Sequence, residues 1–334
     1  MILKPLKSPG PLVNFAYLFI AVLLWLQSFA KPFAYTFFES ENKGLLYAPI
    51  DSLTSRFPLL QVVLSLILVL FTGFLIQQIS ISFSLIKVRT KLPALVFILL
   101  TGGLTPLHTL HPVYLAGVLL MLSIYSIFSV FNNSEPVTHF FNAGLFLSIG
   151  SLFYFNLLAL LLALFIAVSV LRREPQFRDY FAMFIGFLVP WLFAFSYLFF
   201  TDRITDTITI ISNNILTPVN HFNKNYLLLG YSGIIALLTI IGSFKMMQLY
   251  DSSKVSTRKY FQVLFIFFVF SMICFAFVPG ASQEILIISF IPLSFLIANL
   301  FSTITSTFWS ELLFSVLLLA SAFMQIARYF ALYG

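Results

Sequence analysis

Charge is what this chain has least of. Only 9% of its 334 residues are Asp, Glu, Lys or Arg, while 60% are apolar. Soluble domains carry about a quarter charged residues, because water must solvate their surface. That shortage excludes a soluble globular protein and leaves a chain solvated by lipid. Cysteine is nearly absent too. The lone Cys274 excludes an intrachain disulfide or a Cys-based metal cluster, and its place inside an apolar run makes it a packing residue. The apolar runs hold almost no ionisable side chain, which counts against a proton pump or proton-coupled transporter, since these need buried acids or histidines. No Gly-rich phosphate loop, HExxH, GxSxG or CxxC pattern occurs, so no cofactor is expected. Any activity must come from side chains gathered across loops.

What is there is a succession of apolar runs. A bilayer core takes about 20 apolar residues per helix, fewer where a helix is buried among others. On that length, helices are expected near residues 12–30, 58–86, 92–106, 112–131, 137–151, 154–171, 180–200, 226–244, 260–278, 284–301 and 308–328. The expectation is an all-α, polytopic integral membrane protein of about eleven crossings, one transmembrane domain over 1–334 with no soluble domain. The 43 phenylalanines suit lipid-facing and helix-packing positions. The amino-terminal apolar run is too long for a secretory signal and is expected to remain as the first helix.

The net charge of +7 forms no basic face, so nucleic acid is not an expected partner. Lys4, Lys7, Lys87, Arg89, Lys91, Arg172, Arg173, Arg178, Lys245, Lys254, Arg258 and Lys259 fall on one side of this topology. Lys31, Lys43, Arg56, Arg203, Lys224 and Arg328 fall on the other. By the positive-inside rule the amino terminus is expected to be cytoplasmic and the membrane an inner (plasma) membrane. The two long connections on the far side, 31–57 and 201–225, are the places for function. Within the second, Ile204, Ile208, Ile211 and Ile215 share a helical face, so 204–216 reads as an interfacial amphipathic helix, with a short strand as alternative.

Acidic residues and histidines collect on that far side: Glu39, Glu41, Asp51, His108, His111, Asp202, Asp206, His221 and Glu284. One reading makes them solvated loop side chains; the other makes a cleft that pairs a carboxylate base with cations holding a lipid phosphate. His108 and His111 are three apart, but Pro106 and Pro112 break a regular helix there and no carboxylate completes a set, so no metal site is expected.

The segment TPLHTLHPVYLAGVLLMLSIYSIF, followed by FNAGLFLSIGSLFYFNLLALLLALFIAVSVLRR, reads as short helices meeting at a sharp turn around Phe153, Tyr154, Phe155 and Asn156. This pattern over residues 104–173 resembles the GT-C superfold of multipass glycosyltransferases that use polyprenyl-phosphate sugars. The Phe-rich chain also resembles multipass envelope proteins of Bacteroidota. The GT-C resemblance implies transfer of a sugar in envelope glycan assembly, with an acid of the first outer loop as catalytic residue. By position Asp51, Glu39 and Glu41 are the candidates for that acid, and Arg56, Arg203 and Lys224 for holding the lipid phosphate. The competing expectations are an integral subunit of a secretion, translocation or polysaccharide-export complex, which needs other membrane-protein subunits, and a lipid or small-solute transporter. The bilayer is a partner in every case.

Overall fold

The computed structural model describes residues 3–8, 10, 12–35, 37, 44–131, 133, 135–205, 212 and 225–330. Among them there is no strand. The fold class is all-α. The helices are α1 (Leu3–Leu6), α2 (Leu12–Ala30), α3 (Tyr47–Thr54), α4 (Pro58–Ser82), α5 (Leu92–Gly102), α6 (Pro112–Phe128) and α7 (Val137–Phe153). They continue as α8 (Leu160–Leu171), α9 (Phe177–Phe200), α10 (Tyr226–Gln248), α11 (Val255–Phe277), α12 (Ile285–Thr303) and α13 (Thr307–Tyr329). Seven of these, α2, α4 and α9 to α13, are long and apolar enough to cross a membrane, and α5 to α8 are shorter apolar helices.

Helix ends differ from the hydropathy runs where backbone chemistry intervenes. The run 58–86 stops at Ser82 because Ser84 turns left-handed, at φ 49°. Leu85 N–H then donates to Ser80 O at 3.1 Å and Ser84 N–H to Ile81 O at 3.2 Å, which closes the helix as a Schellman motif. The run 92–106 stops at Gly102, and Pro106 opens a single 3-10 turn. The long run after Val137 breaks where its hinge residues stand. Tyr154 is extended, a 3-10 turn covers Phe155–Ala159, and α8 follows.

The core is built on two helices that are apolar on every side. Each residue of α5 is buried, as is nearly all of α12, and the two pack together with α4, α10 and α11 around them. A helix that is hydrophobic all round belongs at the centre of a bundle. Between α7 and α9 the contact is made by small residues. A Cβ on Gly144 would lie 2.1 Å from Met183 O, and one on Gly186 would lie 2.1 Å from Phe141 O. Ser148 Oγ donates to Phe187 O at 2.6 Å and Trp191 Nε1 to Ser151 Oγ at 3.0 Å on the same face. Without a hydrophobic drive between helices in lipid, such backbone approach and interhelical bonding supply the association.

Hydrogen bonds pin the two ends of the bundle. At the amino-terminal end, Lys91 Nζ donates to Asn14 Oδ1 at 2.7 Å, Lys259 Nζ to Leu171 O at 3.2 Å and Lys7 Nζ to Ser310 Oγ at 3.3 Å. There the Glu311 carboxylate accepts from Leu3 N–H at 3.1 Å and Lys4 N–H at 3.3 Å, joining the first and last helices. At the far end, Arg328 Nη1 donates to Ser28 Oγ at 3.0 Å and Thr105 O at 2.9 Å.

Candidate functional site

The first long connection, 31–57, is not all loop. Its last third forms α3, whose Tyr47, Asp51 and Thr54 recur at helical spacing and are the buried face. Asp51 is only 7% exposed. Just before α3 the chain is docked on the hinge of the α7–α8 hairpin. Leu46 N–H donates to Leu152 O at 3.2 Å, and a Cβ on Gly44 would fall 2.0 Å from Phe153 O, so only glycine allows this approach. Tyr47 OH donates to Leu110 O at 2.9 Å. From Thr54 a polar file runs inward, with Gln61 Nε2 donating to Thr54 Oγ1 and Thr109 Oγ1 to Gln61 Oε1, each at 3.3 Å.

Beside Tyr47 the imidazole of His111 is wholly buried. Its Nδ1 accepts from Val113 N–H at 3.2 Å and caps α6, which leaves the proton of the neutral ring on Nε2. Tyr35, Phe37 and Tyr154 surround the ring at centroid distances of 4.7, 5.8 and 6.2 Å. Tyr154 leads on to a carboxylate. Its OH donates to Glu284 Oε1 at 3.1 Å and accepts from Asn156 Nδ2 at 3.1 Å, while Ser282 N–H donates to the same carboxylate oxygen at 2.8 Å. Glu284 is 1% exposed. A buried carboxylate bonded to a phenol is a pair through which a proton can pass.

His108 occupies a separate niche in the connection between α5 and α6. Its Nε2–H donates to Gly102 O at 3.1 Å. The ring is fully buried, and burial together with the nearby Arg328 charge holds its pKa down at about 3, against an ordinary 6.5. His108 is therefore neutral at any physiological pH. The Arg328 guanidinium lies 4.2 Å over the Phe33 ring and is spent on Ser28 and Thr105, so it ties α13 to α2 and to the α5–α6 connection.

Compared with protein families, residues 47–332 match a family of unknown function, DUF6427. The chain belongs to that family. No curated protein and no solved structure matches it.

The matched span begins at the first residue of α3 and takes in the α7–α8 hairpin and the Tyr154–Glu284 pair. Of the residues singled out by sequence, Asp51 is buried on α3, whereas Arg56, just beyond α3, and Arg203 are exposed. Arg203 follows Asp202, whose φ of 50° ends α9 in a second Schellman turn, with Arg203 N–H on Leu198 O at 3.0 Å. Glu39, Glu41, Lys224, Asp206, His221 and nearly all of the expected helix 204–216 lie outside the described residues. The reading of the far-side histidines and acids as solvated loop side chains is corrected for Asp51, His108, His111 and Glu284. All four are buried, because the connections that carry them fold back between the helix ends. Among the described residues no three His, Cys, Asp or Glu side chains group as a metal site would need, and His108 and His111 stand in different surroundings. Sequence reasoning missed the role of Tyr154 and Tyr47. The aromatic hinge at 153–156 was the one signal for the former.

Proposed function

We propose that this protein is a polytopic inner-membrane enzyme of GT-C type, its amino terminus in the cytoplasm, that moves a sugar from a polyprenyl-phosphate carrier to an acceptor hydroxyl at the far face. The observation that supports this is the docking of the first far-side connection on the hairpin hinge, through Leu46 on Leu152 and Gly44 on Phe153. The GT-C resemblance asks for an acid from that connection, and Asp51 stands on α3 four residues beyond Tyr47, just after the docking point. In this mechanism the carboxylate of Asp51, Glu39 or Glu41 takes the proton of the acceptor hydroxyl as its oxygen bonds to the anomeric carbon. The bond from that carbon to the phosphate oxygen breaks, and the lipid phosphate leaves as its anion, steadied by Arg56, Arg203 or Lys224. The four short helices complete the crossings in pairs, α5 with α6 and α7 with α8, for eleven in all.

The test is sugar transfer by the purified protein in nanodiscs, supplied with polyprenyl-phosphate sugar. Asp51→Asn, Glu39→Gln or Glu41→Gln is expected to abolish transfer while the melting temperature stays put. Normal turnover in all three variants removes the proposed base. A second reading, a non-catalytic subunit of an envelope complex, draws on the outward aromatic surface of α9, where Phe193, Phe199 and Phe200 are 75%, 66% and 84% exposed. Recovery of the protein from its membrane in fixed ratio with other membrane proteins, and with no transfer activity, would favour it.

A further inference from the structure

At the amino-terminal end of the bundle, away from the site above, a cavity of about 390 Å³ opens between the turn after α4, the α10–α11 connection and the end of α12. Three cations line it, Lys87, Arg89 and Lys254, together with hydroxyls such as Ser84 and Thr257, and no carboxylate is among its lining side chains. The left-handed turn at Ser84 sends the chain back over this space, and Lys87 Nζ donates to Ser252 Oγ across it at 3.3 Å. A second, almost wholly apolar groove of about 340 Å³ runs between α10 and α11 over α12. Met246 and Phe261 line both spaces, so groove and cavity adjoin across these two side chains. On α10 the groove spans Thr239 to Met247, roughly 12 Å at 1.5 Å per residue, room for part of an extended acyl chain. Arg258 stands at its rim, with its guanidinium 5.0 Å over the Tyr250 ring.

We propose that the cavity and groove together bind one anionic phospholipid, its phosphate among Lys87, Arg89 and Lys254 and an acyl chain in the groove between α10 and α11. Charge complementarity selects the headgroup. An anion entering a pocket lined by three cations and no acid meets only attraction, and basic pockets at the ends of membrane helices recognise anionic headgroups in this way. The groove selects a lipid over a free anion. Arg258 and Gln262 are among its lining residues, but nearly all of the surface it presents is apolar, from side chains such as Leu264, Phe265, Phe268 and Leu296, which suits an acyl chain and not a hydrated phosphate. Both α10 and α11 are long and apolar enough to cross a membrane, so the groove lies along lipid and the cavity lies where headgroups sit.

The test is native mass spectrometry of the full-length protein titrated with phosphatidylglycerol and, separately, with phosphatidylcholine. Preferential retention of phosphatidylglycerol is expected. Each cation beside an anionic lipid is worth about fivefold in affinity, so Lys87→Ala, Arg89→Ala and Lys254→Ala combined should weaken it roughly 100-fold. Lys87→Arg with Lys254→Arg should keep the binding, which separates loss of charge from loss of fold. Met247→Trp, which fills the groove from its exposed edge, should weaken lipid binding while leaving phosphorus NMR shifts with inorganic phosphate unchanged. Equal retention of the two lipids, or full binding by the triple variant, overturns the proposal. Tight binding of inorganic phosphate with no lipid preference overturns it as well, since the site would then serve a soluble anion.

Discussion

The indole of Trp25 and the imidazole of His108 lie face to face, with ring centroids 3.9 Å apart and planes 8° from parallel. A protonated imidazole in that sandwich would be a buried charge beside Arg328. His108 therefore stays neutral in the folded protein, with its pKa at about 3, while the unfolded chain takes up the proton near 6.5. Stability linked to this group is present above pH 6.5 and is lost as pH falls toward 3. At pH 5 the loss is about 2 kcal/mol. Melting in detergent between pH 7.5 and 5 should show it, and His108→Gln should flatten the fall. An unchanged slope in that variant would assign the pH sensitivity to other groups.

Close backbone approach between α7 and α9 makes Gly144 and Gly186 intolerant of a side chain. Gly144→Val or Gly186→Val should cost about 1–3 kcal/mol by overpacking, since what stands in the way is backbone carbonyl oxygen. Gly117 is the control. A Cβ there meets nothing closer than Ile291 Cδ1 at 3.7 Å, so Gly117→Ala should melt with the parent or above it.

Removing the carboxylate of Glu284 leaves the Tyr154 hydroxyl and the Ser282 N–H without their acceptor in a buried place. Glu284→Ala is expected to lose about 2–4 kcal/mol on that count. Glu284→Gln retains an acceptor oxygen and should lose less than half as much. Denaturation of the two variants side by side distinguishes a hydrogen-bonding role from a purely electrostatic one, in which they would fall together.

Glu311 holds the amides of Leu3 and Lys4. Lys7 stands close by, its pKa lowered by burial, with the Glu311 charge opposing that shift. Glu311→Ala should raise hydrogen exchange at residues 3–7 by 10-fold or more, given about 1.5–3 kcal/mol for a hydrogen bond to a charged acceptor. Exchange elsewhere in α13 should change little. Protection kept at Leu3 and Lys4 would show that α1 is held by its other contacts, the packing of Leu3 and Leu6 and the bonds from Tyr17 OH to Leu6 O and from Lys7 Nζ to Ser310 Oγ.

Hydropathy carried the fold a long way. The break at 153–156 is readable because small residues such as Gly150 and Ser151 lead into an aromatic and polar hinge, and the structure turns at Tyr154. Helix ends were less readable, as with α4, where the left-handed Ser84 and not a loss of apolar residues ends the helix. α3 escaped notice because its eight residues are too few and too polar for a membrane run. The far-side site was legible only as a set of candidates. Glu284 and His111 stand 173 positions apart in sequence, and what brings them to Tyr154 is the meeting of α6, the hairpin hinge and the start of α12. Composition has no term for such long-range pairing. It also treats every loop histidine as wet, whereas His108 and His111 serve as buried hydrogen-bonding groups.

The bond from Leu3 to Glu311 spans 308 positions of chain. At about 5–20 residues per second of synthesis, the amino-terminal turn waits roughly 15 to 60 s for its acceptor to be made. Through that interval α2 lacks the α13 neighbour it has in the finished bundle. That flank of α2 is covered only once Thr307–Tyr329 has been made, so a ribosome stalled before Thr307 would release a protein with α1 unlatched.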